Sequence, residues 1–320
     1  MRFFITGAAG FIGSHLCDSL LASGNSVSGL DDLSTGNSKN LENALNDKNF
    51  NFVEGNILDR DLVSRLVRDS DYVLHFAAAV GVQKILTDTI DSLRTNIEGS
   101  ENVMFSAAEA KKPMILASTS EIYGKNSNSL TEESDRILGS PLKVRWTYSE
   151  AKAIDEAVAK TLFDNSGLKV KIARLFNTVG PRQSAAYGMV IPRFATAALK
   201  DESLTVYGDG SQQRIFCHVS DAVAAINGLI QSEKGEGEAF NIGGLDEVSV
   251  NELAGKIISL TKSNSKVTYI PYKDLEKSGF EDMQRRVPII SKIEKVTGWK
   301  PTKGIDEILK DYLAWLKNEL

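Results

Sequence analysis

Cysteine and histidine are scarce: Cys17, Cys217, His15, His75 and His218 are all that 320 residues contain. Two cysteines so far apart exclude a disulfide framework and fit a reducing compartment. The three histidines have no metal-ligand spacing, so no metal is expected. No apolar run approaches the ~20 residues of a membrane span. The opening Phe3–Ile5 run is broken at once by Thr6, Gly7, Gly10 and Gly13. That does not fit a secretory signal, and a cytoplasmic protein is expected. Excess positive charge is missing too. A net charge of −5 argues against the broad basic stripe that nucleic-acid binding needs. A phosphorylated small molecule remains open, because a few local arginines and one helix N-terminus can hold it. Repeats and low-complexity tracts are also lacking.

What is there is ordinary globular composition, 42% hydrophobic and 25% charged, in a chain long enough for two lobes. The first half alternates short apolar runs with helical patterns. Strands are predicted at Arg2–Thr6, Val27–Asp31, Phe50–Glu54, Tyr72–Ala78, Met114–Ser118 and Lys169–Phe176. Helices are predicted at Ile12–Ser23, Asp59–Arg68, Asp91–Ala110 and Tyr148–Asn165. Unbroken apolar runs such as Tyr72–Ala78 suit strands buried on both faces. The alternation predicts an α/β fold, a Rossmann-type doubly wound parallel sheet. After about Asn177 the rhythm becomes irregular, as expected of a smaller C-terminal α/β substrate-binding domain. The expected division gives 1–176 to the dinucleotide domain, with 215–242 returning to it through helix Asp221–Gln231 and strand Glu238–Ile242. The substrate domain then takes 177–214 and 243–320. It includes a helix capped by Ser249 and running to Thr261, and a final helix at Ile305–Leu320.

Thr6–Gly13 reads TGAAGFIG between the first strand and first helix. Gly7 permits a tight turn, Gly10 lets backbone approach a pyrophosphate, and Gly13 lets the helix pack closely on the sheet. The helix N-terminus offers free N–H groups to the phosphates. The spacing is G-x-x-G-x-x-G, and a glycine-rich turn alone is common. Asp31 adds context: it ends the second strand, where a carboxylate meets the adenosine ribose hydroxyls. Asp31 and Asp32 together would repel a 2′-phosphate, which favours NAD over NADP.

Tyr148 and Lys152 stand four apart on a predicted helix, hence on one face. A phenol ordinarily ionises near ~10 and is a poor base at neutral pH. An adjacent ammonium and the positive nicotinamide ring would stabilise the phenolate. Ser118, Thr119 and Ser120 come directly after the fifth strand at the carboxyl edge, where such sheets bind ligands. A hydroxyl there could share a substrate proton with Tyr148, or it could merely end the strand.

These motifs resemble the extended short-chain dehydrogenase/reductase family of nucleotide-sugar epimerases, dehydratases and decarboxylases. The resemblance spans almost the whole chain. It rests on TGAAGFIG (6–13), HFAA (75–78), STSEIYG (118–124), YSEAK (148–152), RLFNTVGPR (174–182) and YGDGSQQRIFCHVSD (207–221). It implies NAD as cofactor, hydride removal from sugar C4, Tyr148 as base with Lys152, and Ser120 and Thr119 beside them. It implies cofactor contacts at Gly7, Gly10, Phe11, Ile12, Gly13, Asp31, Asp32, Asn56, Ile57, Phe76, Ala77, Ala78, Asn96 and Ser118. At Asn56 the family often has Asp, but an amide can still hydrogen-bond. Asn177, Val190, Arg193, Val206, Tyr207, Arg214 and Arg286 are implied at the nucleotide-sugar, Arg286 at its diphosphate. A homodimer through two helices per subunit is implied as well.

The reaction turns on the two residues after Thr119. Dehydratases typically have Asp-Glu there, and simple 4-epimerases a small or polar residue in place of the acid. This chain has Ser120–Glu121, similar to UDP-glucuronate decarboxylases. RWTYSEAK (145–152) resembles the decarboxylase domain of the bacterial aminoarabinose lipid-modification enzyme, and GFEDMQRRVP (279–288) is similar to that group's substrate segment. A C4 ketone is β to the C6 carboxylate, so CO₂ can leave and a stabilised enolate form. Tyr148, Ser120 and Arg214 could serve that chemistry. Glu121 would position the carboxylate or a water, or would simply cap a loop. The alternatives are a UDP-sugar 4-epimerase and, behind it, a 4,6-dehydratase or a catalytically silent NAD-binding regulator; intact Tyr148, Lys152 and Ser120 speak against the last.

Overall fold

The computed structural model describes residues 1–79, 88–275 and 281–319. Its centre is a sheet of seven parallel strands in the order Glu238–Ile242, Val170–Leu175, Met114–Thr119, Tyr72–His75, Arg2–Thr6, Ser26–Asp31 and Phe50–Glu54. Side chains alternate across each strand. Phe3 and Ile5 therefore enter one core with Leu16, Leu20 and Ile226, while Phe4 enters the other with Val103, Met104 and Ala159. Apolar cover on both faces explains why these strands read as unbroken hydrophobic runs. Helices Phe11–Ala22 and Val219–Gln231 cover the first face, and Arg60–Arg68, Ser100–Glu109 and Thr147–Ser166 the second. The chain winds outward in both directions from Arg2–Thr6 and Tyr72–His75. Their carboxyl ends are thus the point where a crevice opens.

A third core unites helices Val190–Leu199, Val250–Thr261 and Ile305–Glu319 through Phe194, Leu253, Ile257, Ile308 and Tyr312. Ser249 and Glu252 close a reciprocal capping box at the start of the middle helix, satisfying donors that a helix start otherwise leaves open. Small sheets bind this lobe to the first. Gln213–Ile215 pairs with Glu247–Ser249 and with Arg285–Pro288, and the latter pairs with Ser129–Leu130 from the first half. Glu238–Ile242 returns to the large sheet beside Val170–Leu175. Ile293 and Trp299, from the segment expected wholly in the substrate lobe, join the first core.

Two elements differ from expectation. The strand expected to run to Ala78 ends at His75. Residues 76–78 turn outward, where Thr6 Oγ1 accepts from the Ala77 amide at 3.2 Å. The helix expected over Asp91–Ala110 is Thr89–Arg94, a π-turn at Thr95–Gly99, and Ser100–Glu109. A π-turn inserts one residue and redirects side chains. Here it carries the buried Asn96, whose amide both accepts from and donates to the Ala79 backbone at 2.8 and 3.1 Å.

Candidate active site

The carboxyl ends of the central strands open into one elongated cavity of about 1230 Å³. At one end lies the glycine turn. Gly7 has φ +72°, and a Cβ there would stand 2.7 Å from the Ala77 nitrogen. A Cβ on Gly13 would stand 2.0 Å from the Gly7 carbonyl oxygen, so only glycine lets the helix sit against the turn. Gly10 begins that helix without any side-chain cap, leaving N–H groups for an anion. Asp31 is fixed from both sides: Oδ2 accepts from Ala9 N at 2.9 Å and Oδ1 from Leu33 N at 2.8 Å. Burial pushes its carboxyl up, and these two amides pull it back. A Cβ on Gly36 would strike Asp31 Oδ1 at 2.7 Å, so the loop closes on the carboxylate itself. Asp32 accepts from Ser34 N at 2.9 Å and from the Asn56 amide at 2.7 Å. This cradle has the shape and donor set for an adenosine diphosphate moiety. Lys39, which nothing in the sequence pattern marked, also lines the cavity, but Glu319 of the last helix holds it at 2.7 Å.

At mid-cavity stand Phe11, Ile12, Ile57, Phe76, Ala77, Ala78, Ser118, Thr119, Ser120, Tyr148 and Lys152. Ser118 is already committed: its hydroxyl donates to Glu156, which is in turn paired to Arg174 at 2.7 Å. Thr119 accepts from Glu121 N at 3.2 Å and hydrogen-bonds the Tyr148 phenol. Burial pushes that phenol up, reinforced by the Glu121 and Asp155 carboxylates, while Thr119 opposes them. In the free protein Tyr148 is therefore a neutral phenol. Lys152 Nζ donates to Asp155 at 3.0 Å, with both side chains almost fully buried. Behind them His75 bridges Thr6 at 2.7 Å and Ser100 at 3.0 Å. Burial, helped by the Lys152 charge, pushes its imidazole down to about 3, so it is neutral.

The far end is cationic. Glu121 lies between two guanidiniums, Oε2 at 2.6 Å from Arg145 Nη2 and Oε1 at 2.6 Å from Arg286 Nη1. Arg286 Nη1 also donates to Ser120 Oγ at 3.3 Å. Burial drives the Glu121 carboxyl upward, but Arg286 and Arg145 outweigh it and hold it at about 2. Glu121 is ionised at any physiological pH and has no proton to give. Two arginines against one carboxylate leave this end one charge positive. Asn177 shares the wall, its backbone at φ +33° and its amide donating to Ile215 O at 2.7 Å.

Several expected residues stand elsewhere. Arg214 is outside the cavity wall and pairs with Asp282 at 2.6 Å. Val206 is fully buried in the C-terminal core, where packing occupies its side chain, and Val190 packs on the same core. Arg193 stacks on Tyr207 at 4.6 Å and donates to Thr205 O at 2.8 Å. Asn96 supports the 76–79 backbone from behind. Conversely, Arg145, Asp155 and Asp282 were not singled out from sequence. Arg145 could have been found inside RWTYSEAK, three positions before the tyrosine, and Asp282 inside GFEDMQRRVP; nothing local marks Asp155.

Residues 4–312 match the GDP-mannose 4,6 dehydratase family. A UDP-N-acetyl-alpha-D-glucosaminuronate decarboxylase of Bacillus cytotoxicus is 39% identical, over 99% of this chain and 98% of its own. UDP-glucuronic acid decarboxylase 1 of Danio rerio is 33% identical, over all of this chain and 73% of its own. Among solved structures, a UDP-glucuronic acid 4-epimerase of Bacillus cereus in complex with UDP-glucuronic acid and NAD superposes with a TM-score of 0.91, at 27% identity and full coverage of both chains. Taken with the glycine cradle, the Tyr148–Lys152 pair and the sheet order, the match over nearly the whole chain places this protein in the GDP-mannose 4,6 dehydratase family, among the extended short-chain dehydrogenases/reductases.

Proposed function

We propose that this chain is an NAD-dependent decarboxylase of a UDP-linked hexuronate. The observation that carries the reading is the Arg145–Glu121–Arg286 cluster beside Ser120 and Tyr148. NAD, held by the Gly7–Gly13 cradle with Asp31 at its ribose, would take a hydride from sugar C4 and later return it. Tyr148 takes the proton of the C4 hydroxyl, with Lys152 stabilising the phenolate. The resulting ketone is β to the C6 carboxylate. The C5–C6 bond then breaks, CO₂ leaves, and the electron pair becomes an enolate facing the Ser120 and Tyr148 hydroxyls. C5 gains a proton from water, and Tyr148 returns its own to the C4 oxygen when the ketone is reduced to a UDP-pentose.

The cluster suits this order of events. Arg145 and Arg286 attract an anionic sugar, but Glu121 already offsets one of their two positive charges. The substrate carboxylate is thus held loosely, as it should be for a group that departs as neutral CO₂; tight ground-state binding would only deepen the well. The permanently ionised Glu121 acts by orienting these arginines.

The Bacillus cytotoxicus relative is named for a sugar that carries an N-acetyl group. The test therefore uses UDP-glucuronate and UDP-N-acetylglucosaminuronate, each labelled at C6. Labelled CO₂ with a UDP-linked pentose, or its N-acetylamino counterpart, supports the proposal. A six-carbon product inverted at C4 makes the enzyme an epimerase instead and leaves Glu121 a structural residue. Two lesser inferences accompany the reading. A homodimer fits the exposed Phe105 and Ile154 on helices Ser100–Glu109 and Thr147–Ser166, and sedimentation velocity tests it. A cytoplasmic location fits the buried, unbridged Cys17 and Cys217.

A further inference from the structure

Lys152 has a partner that the chemistry above does not require. Asp155 sits one helical turn on, and its carboxylate receives the Lys152 ammonium at 3.0 Å in a place where neither side chain is more than 3% exposed. Burying two ions there carries a desolvation penalty that an apolar or small residue at 155 would avoid. Asp155 Oδ2 receives the ammonium, and the Ser100 hydroxyl also favours the ionised carboxylate. An ammonium has three N–H donors in fixed tetrahedral directions. With one pinned on Asp155, the other two are aimed, and Lys152 lines the cavity beside Tyr148.

We propose that Asp155 is a positioning residue for the Tyr148–Lys152 pair. It directs the free N–H groups of Lys152 into the cavity and offsets the ammonium's charge, so that Tyr148 keeps its proton until a cationic nicotinamide lies beside it. The charged groups around the pair agree. Glu121, from the turn after strand Met114–Thr119, faces Tyr148 as a second carboxylate, though Arg145 and Arg286 offset it. His75, from strand Tyr72–His75, is neutral and adds no charge. Ser100 and Glu101, from helix Ser100–Glu109, face Asp155 with opposing effects, the hydroxyl favouring its ionised form and the carboxylate disfavouring it. The charge of Lys152 favours the phenolate, and Asp155 opposes it alongside burial and Glu121. A pair without Asp155 would give up the phenol's proton more readily with either form of the cofactor bound. Asp155 makes the base conditional on the oxidised form.

This rests on the reading of Tyr148 as the base, and the experiment separates the two. Tyrosinate absorbance is titrated against pH, with and without saturating NAD, in wild type, Tyr148→Phe, Asp155→Asn and Asp155→Ser, with folding checked by circular dichroism. Subtracting the Tyr148→Phe curve isolates Tyr148. In wild type its ionisation should move to lower pH when NAD binds. In Asp155→Asn it should lie about one pH unit lower in both states, or about tenfold more tyrosinate at a fixed pH below the step. If Asp155→Asn does not fold, Asp155→Ser is held to the same criterion. An unmoved step in a folded variant overturns the proposal, and a change in melting temperature alone counts as that result. If the wild-type and Tyr148→Phe curves coincide, the base assignment fails and the proposal falls with it.

Discussion

Replacing Glu121 by Gln tests the cationic end of the cavity most directly. The carboxyl is held at about 2 against an ordinary 4.5. At ~1.4 kcal/mol per pH unit this corresponds to about 3 kcal/mol of folding stability at neutral pH. Part of that is taken back by Arg286, whose guanidinium is pushed down by burial and, despite the pull of Glu121, by Arg214 and Arg145. The net expectation for Glu121→Gln is a loss of about 2 kcal/mol, because two buried guanidiniums would then face each other without a counter-ion. For a chain of this size that is a fall in Tm of about 3 °C. The sign with pH comes from a folded pKa below the unfolded one. The contribution is complete above about 4.5 and disappears as the pH falls toward 2, so the gap between wild type and variant should narrow in acid. Urea denaturation of both proteins at about pH 7 and pH 3.5 measures it, with the gap closing by about 1 kcal/mol. The same variant should release CO₂ more slowly while binding NAD normally. Equal stability at neutral pH, or a gap that persists unchanged in acid, would refute the argument that Glu121 is a clamped anion.

Asp31→Ala should weaken NAD binding and raise the ratio of NADP to NAD affinity, measured by calorimetry; equal wild-type affinity for the two would remove Asp31 from cofactor selection. Tyr148→Phe should keep the fold and NAD binding but lower turnover by ~10²–10⁴-fold, the usual effect of losing a general base; near-normal turnover would exclude the phenol. Gly13→Ala puts a methyl 2.0 Å from the Gly7 carbonyl, forcing the helix from the turn. NAD affinity should fall at least tenfold, and a folded variant with unchanged affinity would show that the helix start does not carry the pyrophosphate.

Much of this protein was legible in its sequence, and the reasons are physical. Strands covered on both faces must be apolar throughout, so Phe3–Ile5 and Met114–Leu116 announced a parallel sheet. A turn that leaves no room for a Cβ must use glycine, so Gly7 and Gly13 marked the cradle, and Asp31 stood at the end of the next strand. Helical spacing alone put Tyr148 and Lys152 on one face. Tertiary structure decided whatever depends on partners distant in sequence or on the exact turn of a helix. Arg286 reaches Glu121 across 165 positions, and only folding shows that the acid is clamped and ionised. The π-turn at Thr95–Gly99 was hidden within an ordinary helical pattern, and it sends Asn96 to the backbone of Ala79. Val206 and Arg214 are expected at the substrate, and only folding shows the first packed in a core and the second paired with Asp282. Asp155 is one acid among many on a polar helix. Its meaning comes only from burial, to which the neighbouring helix Ser100–Glu109 contributes from outside. Composition and periodicity determine which face of an element is buried; which charge meets which other charge is decided by the packing of whole elements.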